Sequence, residues 1–328
     1  MSSSTNISNI IIDVHVSMQN PQDIREEILD GLLSTPRSLP TKYFYDDRGS
    51  ELFERICELP EYYQTRTEHQ LLQSVADEVI SVTGADELVE LGSGAATKTR
   101  VLLNALARAR QLRSYVPFDF SEGILRRVAQ ELVQEFEGLQ VHGVVGDFLA
   151  HLGHIPDGGR RLVIMLGGTI GNLGPETAPA FLSSVYEEMA SGDFFLLGVQ
   201  LITDVPRLEN AYNDSEGITA EFNKNILLVL KSVIGANFDP DAFEHVARYN
   251  HEQHRIEMYL RSTRLQSIPI PELNFTLNLD KNEEILTEIS TKYNRTQVEK
   301  LLTNAGFVMA EWYTDPSQLH GLALARKP

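Results

Sequence analysis

The segment Glu87–Arg100, ELVELGSGAATKTR, constrains the fold of this chain more than any other stretch. Its first five residues form a short, mostly apolar run with the length of a buried strand, and they lead directly into Gly92-Ser93-Gly94. A helical pattern follows from residue 98. A strand that enters a glycine turn and then a helix is where α/β proteins bind nucleotide-like ligands, because glycines admit the ligand close to the backbone and the helix start offers unpaired N–H groups.

The glycine turn is incomplete as a dinucleotide motif. The dinucleotide fingerprint is G-x-G-x-x-G, and Thr97 occupies the position of its third glycine. The missing glycine counts against a pyrophosphate ligand and favours a nucleoside without phosphates. It therefore disfavours a nicotinamide-dependent oxidoreductase, which stands as an alternative class of enzyme.

Strands and helices alternate regularly through the middle of the chain. Further strands are predicted at 114–118, 140–145, 161–166 and 193–199, with helices at 98–112, 121–136 and 176–190 between them. This alternation predicts an α/β protein with a parallel sheet. Because parallel strands align their carboxyl ends at one crevice, the residues that follow them should converge there. Those residues are Gly92 and Gly94, then Asp119, then Asp147 and Phe148.

Each of these side chains suits one part of a nucleoside. The Asp119 carboxylate can accept hydrogen bonds from two ribose hydroxyls, although it can equally cap the helix that begins near Ser121. Asp147 can accept a hydrogen bond from an exocyclic amine, and Phe148 can stack on a purine. Lys98 lies at a helix start, where the helix dipole disfavours a cation, so its position indicates a nearby anion such as the carboxylate of a cofactor.

Charge and composition exclude several classes of protein. The 28 Lys and Arg residues against 46 Asp and Glu residues give a net charge of −18, which repels nucleic acid and anionic membranes. No apolar run reaches the roughly 18 residues of a transmembrane helix, and the first 16 residues lack the basic start of a secretory signal. A single cysteine, Cys57, cannot form an internal disulfide. We expect a cytoplasmic protein that binds a small molecule, with a monomer as the working assembly.

No motif for metal or nucleophilic catalysis is present. The sequence contains no H-E-x-x-H, no cysteine cluster and no G-x-S-x-G. The histidine pair His251 and His254 is interpreted as part of an exposed loop. The sequence therefore predicts no metal site, and it identifies no catalytic side chain with certainty.

The flanking regions predict a second domain that is discontinuous in sequence. Residues 1–13 are expected to form a frayed terminus, and the later stretch 210–230 a long helix. A helix is expected at 243–249, antiparallel strands at 255–264 and 273–279, and a strand at 285–293. The predicted domains are a nucleotide-binding domain, 67–202 with 293–328, and a substrate-binding cap, 14–66 with 203–292.

Several long motifs resemble those of a known family. They are KYFYDDRGSELFERICELPEYYQTRTE, ELVELGSGAATKTR, VPFD, GDF, LGGTIGNL, FNKNIL, FEHVA, RIEMYLR and LTEIS. Together they extend from about residue 24 to residue 325, and they resemble the S-adenosylmethionine-dependent L-histidine Nα-methyltransferases of the ergothioneine pathway. The resemblance implies a class I methyltransferase fold, with a Rossmann-like sheet and a second, sequence-discontinuous α+β domain that binds the substrate.

The resemblance also implies an activity and the residues that carry it. The α-amino group of L-histidine would be methylated successively to the trimethylated betaine, hercynine, with S-adenosyl-L-homocysteine as the other product. The implied cofactor residues are Tyr45, Gly92, Lys98, Asp119, Asp147 and Phe148. The implied substrate residues are Tyr62, Gly167, Asn172, Tyr212, Met258, Glu288 and Ser290.

Glu288 carries the most weight among the substrate residues. It shares one face of a predicted apolar strand with Ser290, and a carboxylate in an apolar pocket needs a partner such as an imidazole N–H. Such a carboxylate would favour the protonated imidazole. An exposed ion pair is the alternative interpretation.

Two other functions compete with histidine methylation. One is Nα-methylation of another aromatic amino acid such as tryptophan, although a larger ring would require Glu288 or Met258 to be replaced. The other is a binding module that holds the cofactor without catalysis, which differs in forming no methylated product.

Overall fold

The computed structural model describes residues 9–15 and 21–328, without the side chain of Pro21. Contacts divide the chain into two compact units. Among the described residues, the first unit contains 9–15, 66–201 and 293–328, and the second contains 21–65 and 202–292. The role of the second unit as a substrate-binding cap stays a prediction.

The described residues form thirteen strands and nine α-helices, numbered here in chain order. The strands are β1 (Ile10–Val14), β2 (Glu87–Leu91), β3 (Ser114–Asp119), β4 (Gln140–Val145), β5 (Arg161–Met165), β6 (Phe194–Gln200), β7 (Phe243–Asn250), β8 (Arg255–Ser262), β9 (Gln266–Ile270), β10 (Phe275–Leu279), β11 (Glu284–Thr291), β12 (Val308–Thr314) and β13 (His320–Arg326). The helices are α1 (Pro21–Leu33), α2 (Asp47–Glu58), α3 (Tyr63–Thr83), α4 (Thr99–Arg108), α5 (Glu122–Glu135), α6 (Thr177–Glu188), α7 (Val205–Asn210), α8 (Ile218–Ile234) and α9 (Arg295–Asn304).

The first unit is built on an eight-stranded sheet of order β1-β4-β3-β2-β5-β6-β13-β12. Strands β1 to β6 are parallel, whereas β13 runs antiparallel to both β6 and β12. The antiparallel pair β12–β13 forms one edge of the sheet. The predicted α/β fold class is therefore confirmed.

The central strands are buried because helices cover both faces of the sheet. Every residue of β2 and of β5 is buried. Along β2, Leu88 packs into one hydrophobic cluster, while Val89 and Leu91 pack into another. This two-sided burial leaves the strand ends, rather than the faces, as the place for a ligand.

The expected frayed terminus is wrong for residues 10–13, and residues 1–8 of that prediction lie outside the described residues. Residues 10–13 form β1 together with residue 14, which continues the same strand. This strand pairs in parallel with β4 from Ile10 opposite Val141 to Val14 opposite Val145. Three consecutive β-branched isoleucines favour an extended strand, but only the exposed edge of β4 gives that strand a partner. The same pairing removes residue 14 from the predicted cap.

The second unit combines a three-stranded antiparallel sheet, order β11-β8-β7, with the β9–β10 hairpin and helices α1, α2, α7 and α8. The helix predicted at 243–249 is wrong, because this segment is β7 and pairs with β8 along its whole length. The predicted pairing of 255–264 with 273–279 is also wrong, since β10 pairs with β9.

The long helix predicted at 210–230 is interrupted. Helix α7 ends at Asn210, and α8 begins at Ile218 after Gly217, whose φ of +74° favours glycine. The Asp214 carboxylate accepts hydrogen bonds from the backbone N–H groups of Ile218 and Thr219, which stabilises the start of α8. The interruption places Tyr212 in a turn instead of on a helix. Across the two described ranges, no helix is both long and apolar enough to cross a membrane.

Candidate active site

The carboxyl ends of β2, β3 and β4 lie at one edge of the sheet in the first unit. Leu91 at the end of β2 pairs with Phe118, and Asp119 at the end of β3 pairs with Val145. The glycine turn, Asp119 and Asp147 therefore follow three neighbouring strand ends. This is the convergence that the strand–helix alternation predicts.

Asp119 connects the glycine turn to the start of α5. One carboxylate oxygen accepts a hydrogen bond from the Gly94 N–H at 2.7 Å, and the other accepts from the Ser121 N–H at 2.9 Å. The two bonds fix the orientation of the carboxylate, while each oxygen keeps a second lone pair for a ligand hydroxyl. Burial raises the pKa of Asp119 above its usual value.

The glycine turn leaves room for a ligand. Gly92 and Gly94 have φ values of +79° and +47°, and a Cβ added to either would meet no atom within 4 Å. The turn therefore fits the nucleoside portion of S-adenosylmethionine. It offers open space, a backbone conformation that favours glycine, and an oriented carboxylate.

The Asp147-Phe148 turn is shaped by its own backbone. The Asp147 carboxylate accepts a hydrogen bond from the Leu149 N–H at 2.9 Å. The backbone N–H of Asp147 donates to Nδ1 of His151 at 3.0 Å. The Phe148 ring packs against Phe181, with ring centroids 5.3 Å apart.

Glu68 on α3 is a buried carboxylate that the sequence analysis missed. It forms an ion pair with Lys98, its Oε1 lies 3.0 Å from Nε2 of His320, and both of its oxygens lie 2.8 Å from the Gly167 N–H. Burial alone would raise the pKa of Glu68, but its electrostatic and hydrogen-bond interactions with Lys98 and His320 outweigh burial and hold the pKa well below the usual range. No short-range signal marks Glu68, because these contacts come from four separate parts of the chain.

Lys98 has a different anion from the one expected. Its observed partner is Glu68, so the position of this cation at a helix start is explained without a cofactor. The assignment of Lys98 to the cofactor stays a prediction. Gly167, with φ of +78°, begins the loop after β5 that leads to the half-buried Asn172.

Within the second unit, a bulge in β11 directs Glu288 to the buried side. The pairing of β11 with β8 shifts between Leu286 and Glu288, and the alternation of buried positions shifts with it. After the shift, Glu288 lies opposite Met258 on the neighbouring strand. Both side chains are buried, so the alternative of an exposed ion pair at Glu288 is wrong.

The Glu288 carboxylate accepts no hydrogen bond from any residue in 9–15 or 21–328, although the side chain is only 9% exposed. Burial raises its pKa to about 7, against the opposing effect of the Lys292 charge. A buried carboxylate of this kind is costly unless a donor reaches it.

Ser290 belongs to a hydrogen-bond network with Tyr212 and Lys292. Its Oγ accepts from the Tyr212 hydroxyl at 2.9 Å and from Lys292 Nζ at 2.7 Å, and Lys292 also donates to the Tyr212 oxygen at 3.0 Å. Lys292 is fully buried, and burial lowers its pKa to about 7 although Glu288 opposes the shift. The sequence analysis missed Lys292, yet the alternation of a strand through residues 288, 290 and 292 is a signal that indicates it.

Aromatic rings surround this network within the second unit. The Tyr62 ring packs edge-on against Tyr212, with centroids 6.2 Å apart. Burial raises the pKa of Tyr62 well above its usual value, and Tyr212 and Glu288 add to the effect. Tyr45, predicted to contact the cofactor, packs edge-on against Phe53 and Phe222 in this unit.

The predicted residues thus form two sets. The first unit contains Gly92, Lys98, Asp119, Asp147, Phe148, Gly167 and Asn172, and the second contains Tyr45, Tyr62, Tyr212, Met258, Glu288 and Ser290. Individual roles in binding stay predictions. In the described part of the chain, no group of three or more His, Cys, Asp or Glu residues is arranged to hold a metal ion.

Comparison with known proteins identifies the family. Residues 24–327 match the family described as histidine-specific, SAM-dependent methyltransferase. The chain is 46% identical over 302 residues to a histidine N-alpha-methyltransferase of Mycolicibacterium smegmatis, covering 92% of this chain and 94% of the relative. The enzyme of the same name from Mycobacterium tuberculosis is 46% identical over 304 residues, covering 93% and 95%. Ergothioneine biosynthesis protein 1 of Neurospora crassa is 32% identical over 303 residues, which cover 89% of this chain and 34% of that longer protein. This chain belongs to the family of histidine-specific, S-adenosylmethionine-dependent methyltransferases.

Proposed function

We propose that this protein methylates the α-amino group of L-histidine with S-adenosylmethionine. The transfers proceed to the trimethylated betaine, hercynine, and constitute the first step of ergothioneine biosynthesis. One observation carries the choice of substrate: Glu288 presents a buried carboxylate, without a hydrogen-bond donor among the described residues, two positions from a serine hydroxyl. An imidazole N–H is a matching donor for such a carboxylate.

S-adenosylmethionine, when bound, supplies a methyl group on a positively charged sulfur. In this proposal Asp119 holds the ribose hydroxyls, Asp147 and Phe148 face the adenine, and the Gly92 turn admits the ligand close to the backbone. Tyr45 and Lys98 complete the cofactor contacts. The oriented Asp119 carboxylate and the open space beside the turn support this assignment.

Methyl transfer to an amine asks little of the protein beyond alignment, exclusion of water and a neutral amine. We assign the substrate carboxylate to Asn172 and Tyr212, with Gly167 shaping the loop, because neutral donors bind an anion without placing a second carboxylate beside the amine. A nearby anion would raise the pKa of the amine and hold its proton. The Tyr212 hydroxyl donates to Ser290 in the structure, and in this proposal it shares that hydrogen with the substrate carboxylate in a bifurcated hydrogen bond, so its bond to Ser290 is kept.

The carboxylate assignment predicts a selective defect. Asn172→Ala and Tyr212→Phe should each raise the KM for histidine far more than the KM for S-adenosylmethionine. Steady-state kinetics with each substrate varied in turn measures both values. Wild-type KM values for histidine in both variants would exclude this placement.

The side chain of histidine is assigned to the second unit. Glu288 accepts from one ring nitrogen and Ser290 binds the other, while Tyr62 and Met258 pack against the ring. Tryptophan fits less well, since an indole has one N–H and no second ring nitrogen for Ser290. Methylation of another aromatic amino acid therefore remains the alternative.

Mass spectrometry tests the proposal directly. Histidine incubated with the protein and S-adenosylmethionine should yield mono-, di- and trimethylated products in sequence, and tryptophan in a parallel reaction should yield much less. A failure to methylate histidine would reject the proposal, and a non-catalytic binding module would give that result.

We further propose a cytoplasmic monomer without nucleic-acid or membrane partners, for which light scattering during size-exclusion chromatography is the first measurement.

A further inference from the structure

Lys292 is the buried charged group to which the proposed function gives no role. Its side chain is 0% exposed, and its Nζ lies 4.9 Å from the centre of the Tyr212 ring as well as within hydrogen-bond distance of two hydroxyls. Burying an ammonium costs free energy that pairing and hydrogen bonds only partly offset, so the presence of Lys292 at this position indicates a task. Both hydroxyls that it contacts belong to residues proposed to bind the substrate.

The direction of the hydrogen bonds defines that task. An ammonium can only donate, whereas a serine hydroxyl offers two acceptor positions and one donor. Ser290 Oγ accepts from Lys292 at 2.7 Å and from Tyr212 at 2.9 Å, so both acceptor positions are occupied. The only capacity left to Ser290 is to donate its own hydrogen, and no residue in the described part of the chain accepts it.

Glu288 has the complementary property. An ionised carboxylate can only accept, and none of the described residues donates to this one. One acceptor and one donor therefore stand two residues apart on β11. A ring that satisfies both must present one N–H and one bare nitrogen. Neutral imidazole has this pattern, whereas imidazolium has two N–H groups and would direct one of them at the Ser290 hydrogen.

We propose that Lys292 is a positioning residue that holds Ser290 as a hydrogen-bond donor and so makes the site selective for the neutral imidazole of histidine. This inference rests on the proposed function, because it concerns the same substrate. It predicts the opposite of the preference for the protonated ring that Glu288 alone would produce. The other titratable groups near Ser290 are Tyr212, Tyr62 and His245, which bonds to the Tyr212 carbonyl.

The test compares histidine with its 1,2,4-triazole analogue. The triazole carries an N–H and bare nitrogens but stays neutral, because its additional nitrogen withdraws electron density. Both compounds share the same amine and carboxylate, so the ratio of their KM values reports on the ring alone. Imidazole titrates near pH 6.5, so between about pH 6 and about pH 8 the ring of histidine changes charge and the triazole does not. Glu288 and Lys292, whose pKa values are shifted to about 7, also titrate in this range, but they act on both compounds, and the ratio of the two KM values therefore isolates the charge of the ring.

In the wild-type protein, the KM for histidine should rise relative to that for the triazole as the pH falls. Lys292→Met should raise both KM values at least about tenfold at the higher pH, with a smaller effect on kcat, and should abolish the pH dependence of their ratio. Lys292→Gln keeps an N–H donor and should retain the pH dependence. Lys281→Met, which removes an exposed lysine of the same unit, is the matched control and should behave as wild type.

A double-mutant cycle tests whether Lys292 acts through Ser290. In the Ser290→Ala background, Lys292→Met should have little further effect on the KM for histidine. Additive effects, or an unchanged pH dependence of the substrate ratio in Lys292→Met, would overturn the proposal. If Lys292→Met does not fold, Lys292→Gln and Ser290→Ala provide the test. The mechanism is contradicted if the KM ratio of histidine to triazole loses its pH dependence in Lys292→Gln. It is also contradicted if that pH dependence persists in Ser290→Ala.

Calorimetric binding of the two amino acids, with S-adenosylhomocysteine present, provides the same comparison without turnover. This binding experiment distinguishes a failure of the proposed methylation of histidine from a failure of the proposed role of Lys292. Histidine that binds with the predicted ring selectivity but is not methylated would reject the proposed function and support the role of Lys292. Histidine that binds as the cation would reject the role of Lys292 alone.

Discussion

Asp119 is the residue whose geometry most directly supports cofactor binding. Its carboxylate is already oriented by the Gly94 and Ser121 N–H groups, so little order has to be gained when hydroxyls bind. Asp119→Ala should weaken S-adenosylhomocysteine binding at least tenfold, since charge-assisted hydrogen bonds contribute about 1.5–3 kcal/mol each. Isothermal calorimetry measures the change. Asp157→Ala, which alters an exposed aspartate, is the control. If NAD bound with the same affinity as S-adenosylhomocysteine, the prediction of a site for a nucleoside without phosphates would be contradicted.

Glu288 is the residue that should select histidine. Its replacement by alanine removes the only acceptor predicted for the ring N–H, and a site that leaves a substrate polar group unpaired can lose as much as ~10⁴-fold in kcat/KM. Glu288→Ala should therefore abolish most histidine turnover and relax the discrimination against tryptophan, more so when combined with Met258→Val. The readout is kcat/KM for both amino acids.

The control for Glu288 is Glu244→Gln, which alters a half-exposed carboxylate on β7. It should leave both substrates unaffected. An unchanged ratio of histidine to tryptophan in Glu288→Ala would show that other residues determine the specificity.

Several elements of the first unit are joined by one carboxylate. Glu68 connects α3 to the start of α4, to the loop after β5 and to β13 through Lys98, Gly167 and His320. Glu68→Gln keeps the shape but removes the charge, and breaking a buried ion pair costs about 3–5 kcal/mol. We expect a lower Tm near neutral pH and weaker binding of S-adenosylhomocysteine, because Gly167 and Lys98 lose their anchor.

The effect of Glu68 on stability should depend on pH with a defined sign. The pKa of this group is held below its ordinary value in the folded state, so its stabilisation is present above the unfolded pKa of about 4.3 and is lost as the pH falls below it. The difference in Tm between wild type and Glu68→Gln should therefore narrow in acid. Glu137→Gln, an exposed carboxylate in the same unit, should show no such trend.

At the scale of the whole molecule, burial can keep an individual carboxyl group protonated, so that this group does not contribute to the formal net charge of −18. Glu90 on β2 is buried and accepts hydrogen bonds from Thr99 and Tyr115, both neutral donors. Burial outweighs these bonds and raises the pKa of Glu90 to about 7. Glu68 and Glu90 thus have opposite shifts, because Lys98 forms a direct ion pair with Glu68, whereas its effect on Glu90 is too small to offset burial.

The raised pKa of Glu90 makes stability fall with rising pH. Between about pH 4.3 and about pH 7 the folded state binds a proton that the unfolded chain releases, so stability decreases across this window. Glu90→Gln is neutral throughout and should gain up to about 3 kcal/mol relative to wild type between about pH 5 and about pH 8. Chemical denaturation of both proteins at each pH measures the gap, and parallel curves would rule out the shift.

The sequence by itself determined the α/β fold and the convergence at the strand ends of the first unit. Glu87–Arg100 predicts its own structure because strand length, glycine turns and helical periodicity are properties of neighbouring residues. The family motifs likewise predicted Glu288 and Ser290 as substrate residues without any knowledge of their surroundings, and that role stays a prediction. The structure confirmed the parallel sheet at the strands where this local signal is strong.

Only the tertiary structure decided the elements and charges that depend on distant partners. Residues 10–14 and 243–249 become strands because β4 and β8 offer them hydrogen bonds, and no local pattern reveals which strand edge is available. Glu68 meets His320 across 252 positions of sequence, and the fully buried Lys292 meets Tyr212 across 80 positions. The burial and protonation of a charged side chain are set by what surrounds it in space, and a sequence contains that information only through the fold.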